Sequence, residues 1–164
     1  PWTRFASFSG WTVGRFDDSG CRPIQGRLGG VDVRVRALGD PAGERVEVRA
    51  DVGVALPSGL RVVGMQGAGA SPGVRIGSPV LDPFIHASGD DPDEVRALLV
   101  NAELPGPLLQ VLRAWPGSEL AQGAVSLVAP GRLDVDLYAT TQAVVDLVTA
   151  LQAAARATCS TRDG

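Results

Sequence analysis

Two neighbouring segments with alternating hydrophobicity constrain the fold more than any other feature of this chain. Residues 31–36 place valine at every second position, and residues 46–54 do the same with valine and alanine. This period of two is typical of a strand with one buried and one solvated face. Because the intervening residues 39–43 read Gly-Asp-Pro-Ala-Gly, which favours a turn, the two segments predict a long antiparallel hairpin.

The solvated face of this hairpin carries charges of both signs. Its polar positions are Asp32, Arg34, Arg36, Arg45, Glu47, Arg49 and Asp51. We expect cross-strand pairs of arginine with aspartate or glutamate there, each adding about 0.2–1 kcal/mol to the stability of the sheet.

The remainder of the first half is also predicted to be strand-rich. Residues 11–16 and 24–28 are predicted short strands joined by a turn, residues 59–64 a third strand, and residues 74–76 another short one. Residues 64–73, rich in glycine and alanine, are predicted to be a connection.

The second half changes to helical periodicity. Asp91 is the predicted N-cap of a helix with Pro92 at its first position and Glu94 completing a capping box. A second short helix is expected from near Pro107 to Trp115, where a Pro-Gly pair ends it.

A second hairpin and a final helix complete the predicted elements. Residues 125–127 and 133–138 are predicted to pair across a turn at Pro130 and Gly131. Thr140 or Thr141 is the predicted N-cap of the last helix. Its apolar residues recur at helical spacing at Val144, Leu147, Val148, Leu151 and Ala155.

These elements predict one α+β domain over residues 1–164. We expect an antiparallel sheet of about five to seven strands, helices packed on one face, a strand-rich first half and a C-terminal helix. Hydrophobic residues make up 45% of the chain, enough for a core. Residues 1–20 are a candidate arm or linker, and residues 158–164 a predicted disordered tail.

Composition excludes several classes of function. All 15 basic residues are arginine, so the chain has no lysine for a Schiff base or a phosphate-binding loop. A net charge of −3 argues against a nucleic-acid partner. The sequence contains no run of about 18 apolar residues, so no membrane span is predicted within it. A cytoplasmic location is the default expectation. Because the sequence begins at Pro1, an upstream signal or membrane anchor stays open.

The two cysteines give no disulfide framework. Cys21 and Cys159 could close one long loop, but a single pair at this separation has no diagnostic spacing. The prediction is that both are reduced and separate.

Residues 69–73 match the Gly-x-Ser-x-Gly pattern of a serine nucleophile. Ser71, Asp82 and His86 also follow the chain order of an α/β-hydrolase triad. In that motif the N–H after the serine builds the oxyanion hole, and Pro72 has no N–H. We therefore expect no catalytic residues, and a hydrolase using Ser71 is the least favoured of the alternatives.

The chain offers no convincing metal or cofactor site. His86 precedes the acidic residues 90–94, but a zinc site needs three or four converging ligands and this chain has one histidine. Helix capping and a solvated turn explain those acids without a metal. The glycine-rich residues 64–73 lack a phosphate-binding motif. The sequence thus predicts no metal and no cofactor.

Five of the eight aromatic residues lie within the first sixteen positions. They are Trp2, Phe5, Phe8, Trp11 and Phe16. A docking surface or a cover for the sheet edge is one interpretation, and the favoured one is that they belong to the core.

Four segments resemble an uncharacterised bacterial α+β domain family: residues 26–33, 56–62, 76–84 and 91–99. In that family the stretch before the first helix reads Gly-Asp-Pro-x-Phe-Asp, where this chain has Gly-Ser-Pro-Val-Leu-Asp at residues 77–82. The resemblance implies no known activity. Some similar domains sit beside membrane segments.

The sequence favours a non-enzymatic binding or protein-interaction domain, because no set of acid, base and nucleophile converges. A protein partner or self-association is expected, at a sheet edge or at the aromatic N-terminal segment. The alternative is a small-ligand carrier with a cavity between sheet and helices.

Overall fold

The computed structural model describes residue 6 and residues 10–15, 22–38, 45–65, 73–130 and 136–160. These residues form one antiparallel sheet of eight strands with three helices, which confirms the predicted α+β class with one strand more than the expected range. In chain order the elements are β1 (Thr12–Val13), β2 (Ile24–Leu28), β3 (Val31–Leu38), β4 (Arg45–Asp51), β5 (Arg61–Gly64), β6 (Ile85–Ser88), α1 (Pro92–Leu99), α2 (Pro105–Ala114), β7 (Glu119–Ala121), β8 (Ala124–Pro130) and α3 (Leu137–Ser160).

The strand order across the sheet is β1-β2-β3-β4-β8-β7-β5-β6. The predicted hairpin of β3 and β4 is confirmed: Val33 lies opposite Ala50 and Val35 opposite Val48. β8 pairs with β4 over seven residues on one side and with β7 on the other. It thereby joins β1–β4 to the strands β7, β5 and β6.

The predicted second hairpin is wrong in its partner. β8 pairs with β7, which precedes it, and Leu137 and Tyr138 belong to α3; residues 131–135 lie outside the described ranges. The two turn residues, Gln122 and Gly123, have φ of 52° and 72°, as a two-residue hairpin turn requires. β7 has only three residues, too few to show an alternating pattern from which a strand could be predicted.

Side-chain caps begin two of the helices. Asp91 Oδ1 accepts the N–H groups of Asp93 at 2.8 Å and Glu94 at 3.2 Å, which confirms the predicted start of α1. The threonine cap predicted for the last helix is wrong. Asp136 Oδ1 accepts the N–H of Ala139 at 3.0 Å and caps α3 about one turn earlier. Thr140 and Thr141 therefore lie within the first turns of α3, and both are buried.

All three helices pack on one face of the sheet, as predicted. α3 contacts β3, β4 and β8, while α1 and α2 contact α3 and the β6 and β5 strands. Gln152 Nε2 donates to Val52 O at 2.7 Å and ties the middle of α3 to the end of β4. The largest fully buried side chains include Ile24, Leu81, Leu98, Leu99, Leu108, Leu120, Leu127, Leu147 and Leu151.

Trp11 belongs to the same core. Its side chain and backbone are 8% exposed, its backbone N–H donates to Ala6 O at 2.9 Å, and its indole lies directly against Gly26 of β2. The core interpretation is thus confirmed for Trp11, while the other four N-terminal aromatics lie outside the described residues.

Residues 74–76 do not form the predicted strand. A single hydrogen bond, from Val74 N to Ala87 O at 2.7 Å, holds this segment against the outer edge of β6. The segment partly covers an edge strand that would otherwise present unpaired backbone groups.

A buried hydroxyl in α3 gives the first expected result. Among the described residues, Thr141 Oγ1 is buried without a hydrogen-bond partner, whereas Thr140 Oγ1 donates to Asp136 O at 2.9 Å. Because an unsatisfied buried hydroxyl costs free energy, Thr141→Val is expected to raise the free energy of unfolding by about 1 kcal/mol. The matched change Thr140→Val should lower it by a similar amount. Urea unfolding of both variants tests this, and a destabilised Thr141→Val protein would contradict it.

Candidate functional site

The face of the sheet opposite the helices forms the candidate site, and we call it the open face. Because directly paired residues point to the same side, the strand register assigns its side chains. Its arginines are Arg27, Arg34, Arg36, Arg45, Arg49 and Arg61. Its carboxylates are Asp32, Glu47, Asp51 and Glu119. Arginines therefore outnumber acids on this face, although the whole chain has a net charge of −3.

Glu47 is a largely buried carboxylate on the open face with two hydrogen-bond donors. Its side chain is 11% exposed, and it accepts hydrogen bonds from Arg36 Nε and from Ser126 Oγ at 2.9 Å. Burial alone raises the pKa of Glu47, but the hydrogen bonds from Arg36 and Ser126 and the charges of Arg36 and Arg49 outweigh burial, so the pKa lies below its ordinary value. This pair confirms the predicted Arg/Glu contact across the hairpin.

The next pair of directly opposed residues in the same hairpin does not follow the predicted pattern of opposite charges. We call such a directly opposed pair a rung. Arg34 of β3 lies directly opposite Arg49 of β4, and like charges in that position destabilise a sheet. Both side chains are exposed, and no carboxylate of the described residues lies within 4.0 Å of either guanidinium. These two cations are therefore available to a partner.

Looser ion pairs flank this centre. Arg27 Nε lies 3.7 Å from Asp32 Oδ1, and Arg61 Nε lies 3.1 Å from Glu119 Oε2. The side chains of Arg27 and Asp32 are largely solvated and those of Arg61 and Glu119 are partly so, and solvent screening leaves each pair little effect on stability.

Two shallow depressions lie side by side on the open face and share Arg49. One, of about 550 Å³, contains Arg34 and Asp51; the other, of about 700 Å³, extends past Leu56 towards Arg61. A third depression, of about 410 Å³, lies at the end of the sheet between Met65 and the α2 C-terminus. There Arg113 stacks 3.8 Å from the centre of the Phe84 ring.

The structure describes two of the three hydrolase candidates, Asp82 and His86. Asp82 accepts backbone N–H groups from Ile76 at 2.9 Å and Gly77 at 3.0 Å, and both of its oxygens are used in that turn. His86 lies on β6 with Gly73 against its imidazole, and Ser71 lies outside the described residues. The sequence prediction that the chain is not an enzyme stays a prediction.

The described ranges contain neither a candidate metal cluster nor a candidate membrane-spanning helix. Within them no three His, Cys, Asp or Glu residues are close enough to hold a metal ion. No helix among those residues combines the length and apolar character needed to cross a membrane. Cys21 and the side chain of Cys159 lie outside the described residues, so the prediction that both cysteines are reduced stays a prediction.

Comparison with known proteins shows no similarity in sequence or structure. The chain matches no protein-family model, no curated protein and no solved structure. The resemblance to an uncharacterised bacterial domain therefore stays a prediction.

Sequence reasoning missed the Arg34–Arg49 rung. It placed both residues on the solvated face but not opposite each other, because the hairpin register depends on the loop between the strands. One available signal was the count of charges: β3 and β4 together carry four arginines and three acids, so the acids of the hairpin cannot pair with every arginine.

Proposed function

We propose that this chain is a non-enzymatic protein-interaction domain that binds its partner through the open face. One observation carries the proposal: Arg34 and Arg49 lie opposite each other and exposed, with no carboxylate of the described residues within 4.0 Å of either guanidinium. A like-charge rung weakens the isolated sheet, and locally unfavourable choices of this kind tend to occur at functional sites. A partner with carboxylates at these positions removes that cost.

The shape of the site supports a protein partner over a small ligand. A carrier needs a cavity between the sheet and the helices, and ligand cavities of that kind enclose most of the ligand. The three depressions described above lie instead on the open face or at the end of the sheet. On the helical side, side chains such as Val48, Leu127 and Val148 are fully buried against one another.

Native mass spectrometry of the protein purified from its own host tests the proposal. The expected result is a complex with a protein, and the double variant Arg34→Glu/Arg49→Glu is expected to lose it. The matched control is Arg75→Glu/Arg113→Glu, which changes the net charge equally at exposed arginines outside β3 and β4 and should keep the complex. A bound small molecule at unit stoichiometry, or a complex kept by both variants, would contradict the proposal.

A further inference from the structure

The charges at the centre of the open face are arranged so that this face complements itself. We propose that the partner bound there is a second copy of this chain, docked face to face about a twofold axis. The inference rests on the proposed function, because it names the partner of the same surface.

The complementarity follows from two adjacent rungs of β3 and β4. Arg34 is paired with Arg49, and the same register, continued from Val33 opposite Ala50, places Asp32 opposite Asp51. Residues two apart on a strand share a face and are about 7 Å apart. A wholly positive rung therefore lies directly beside a wholly negative one.

A twofold axis relates these rungs between two copies. The axis runs parallel to the two faces, at right angles to the strands, and passes between the rungs. Rotation about it places the Arg34–Arg49 rung of one copy over the Asp32–Asp51 rung of the other, and the reverse contact follows from the symmetry. Packed sheets are about 10 Å apart, a gap that extended arginine and aspartate side chains from opposite faces can bridge.

The four side chains are available for such contacts. All four are exposed, and in the described part of the chain neither Arg34, Arg49 nor Asp51 forms an ion pair. Asp32 lies 3.7 Å from Arg27 but its side chain is 84% exposed, so it keeps a solvated carboxylate for a partner. Guanidinium groups bind carboxylates in a bidentate geometry, which fixes the register of the two copies as well as their attraction.

Other partners fit this pattern less well. A uniformly acidic segment that meets the arginine rung is repelled by Asp32 and Asp51 beside it, and a nucleic acid meets the same acids on a chain of net charge −3. The required partner presents an acidic row next to a basic row at the spacing of one rung. The open face itself has that arrangement.

Analytical ultracentrifugation of two complementary variants tests the inference. Arg34→Glu/Arg49→Glu makes both rungs acidic, and Asp32→Arg/Asp51→Arg makes both basic. Wild type is expected to dimerise with an affinity that falls as salt is added, and each variant should raise the dissociation constant at least about 100-fold through like-charge contacts. An equimolar mixture of the two variants should form a heterodimer, because acidic rungs then face basic ones.

Controls keep the result interpretable. Arg75→Glu/Arg113→Glu should dimerise as wild type does, and circular dichroism should show that every variant is folded. If charge reversal unfolds a variant, the neutral pair Arg34→Gln/Arg49→Gln replaces it and should weaken the dimer by a smaller factor.

Three outcomes overturn the inference: a monomeric wild type at all concentrations, a dimer unaffected by either variant, or folded variants that fail to pair when mixed. The first of these leaves the proposed function standing if a different protein partner is lost in Arg34→Glu/Arg49→Glu. If that partner is retained as well, the proposed function fails with it.

Discussion

Replacing Gly26 with alanine is expected to lower the free energy of unfolding by about 3 kcal/mol, because it forces Trp11 out of its place in the core. A Cβ atom at Gly26 would lie 2.2 Å from Trp11 Cγ and within 2.4 Å of two further ring atoms. The indole cannot rotate away cheaply, since it is 8% exposed and packed against the sheet. Urea unfolding, monitored by circular dichroism, gives the free energy.

Gly106 supplies the matched control. It lies in the first turn of α2, and a Cβ atom there meets nothing within 4 Å. Gly106→Ala should leave stability unchanged or raise it slightly, because alanine is the better helix former. Equal stability of the two variants would show that Trp11 does not occupy the surface over Gly26.

Removing the charge of Glu47 is expected to lower stability by about 2 kcal/mol at neutral pH, because Arg36 and Ser126 lose an ionised acceptor. The cost is moderated because the side chain of Arg36 is 41% exposed and can be hydrated when its partner is lost. Glu47→Gln keeps the shape of the side chain and removes only the charge. Unfolding in urea at neutral pH measures the difference.

The same variant should also change the response to acid. The pKa of Glu47 is lower in the folded protein than in the unfolded chain. Its charge therefore contributes stability that is fully present above the unfolded value of about 4.3 and is lost as the pH falls through the lower folded value. The gap between wild type and Glu47→Gln should be widest at neutral pH and shrink below about pH 4. A gap that stays constant between neutral and acidic pH would contradict this assignment.

The predictions from sequence succeeded where a local pattern was sufficient. Alternating valines identified the β3–β4 hairpin, and the Asp91-Pro92 start identified α1 because the cap is formed by groups two and three residues apart. They failed where distant residues decide the structure. β7 is too short to show a pattern, and residues 137–138 joined a helix whose cap, Asp136, had been assigned to a strand.

The candidate site was even less accessible from sequence. The predicted Arg/Glu pair across the hairpin formed, yet the next rung put two arginines together, since a register of the strands fixes all rungs at once. The Gly-x-Ser-x-Gly motif and the lone histidine resemble known catalytic chemistry, yet neither belongs to the proposed site. The surface that carries the proposal consists of common residues whose meaning depends on their positions across two strands.

The position of β8 has a consequence for synthesis and folding. β8 is among the last elements made, yet it lies in the middle of the sheet, between β4 and β7, and its partners in β4 are more than seventy residues earlier in the chain. Until the ribosome has released residue 130, β4 has an unpaired edge. During the several seconds of translation between β4 and β8, the free edge of β4 can pair with another chain, which favours aggregation. The sheet is completed only when β8 pairs with β4 over a long sequence separation, and such pairing is slow.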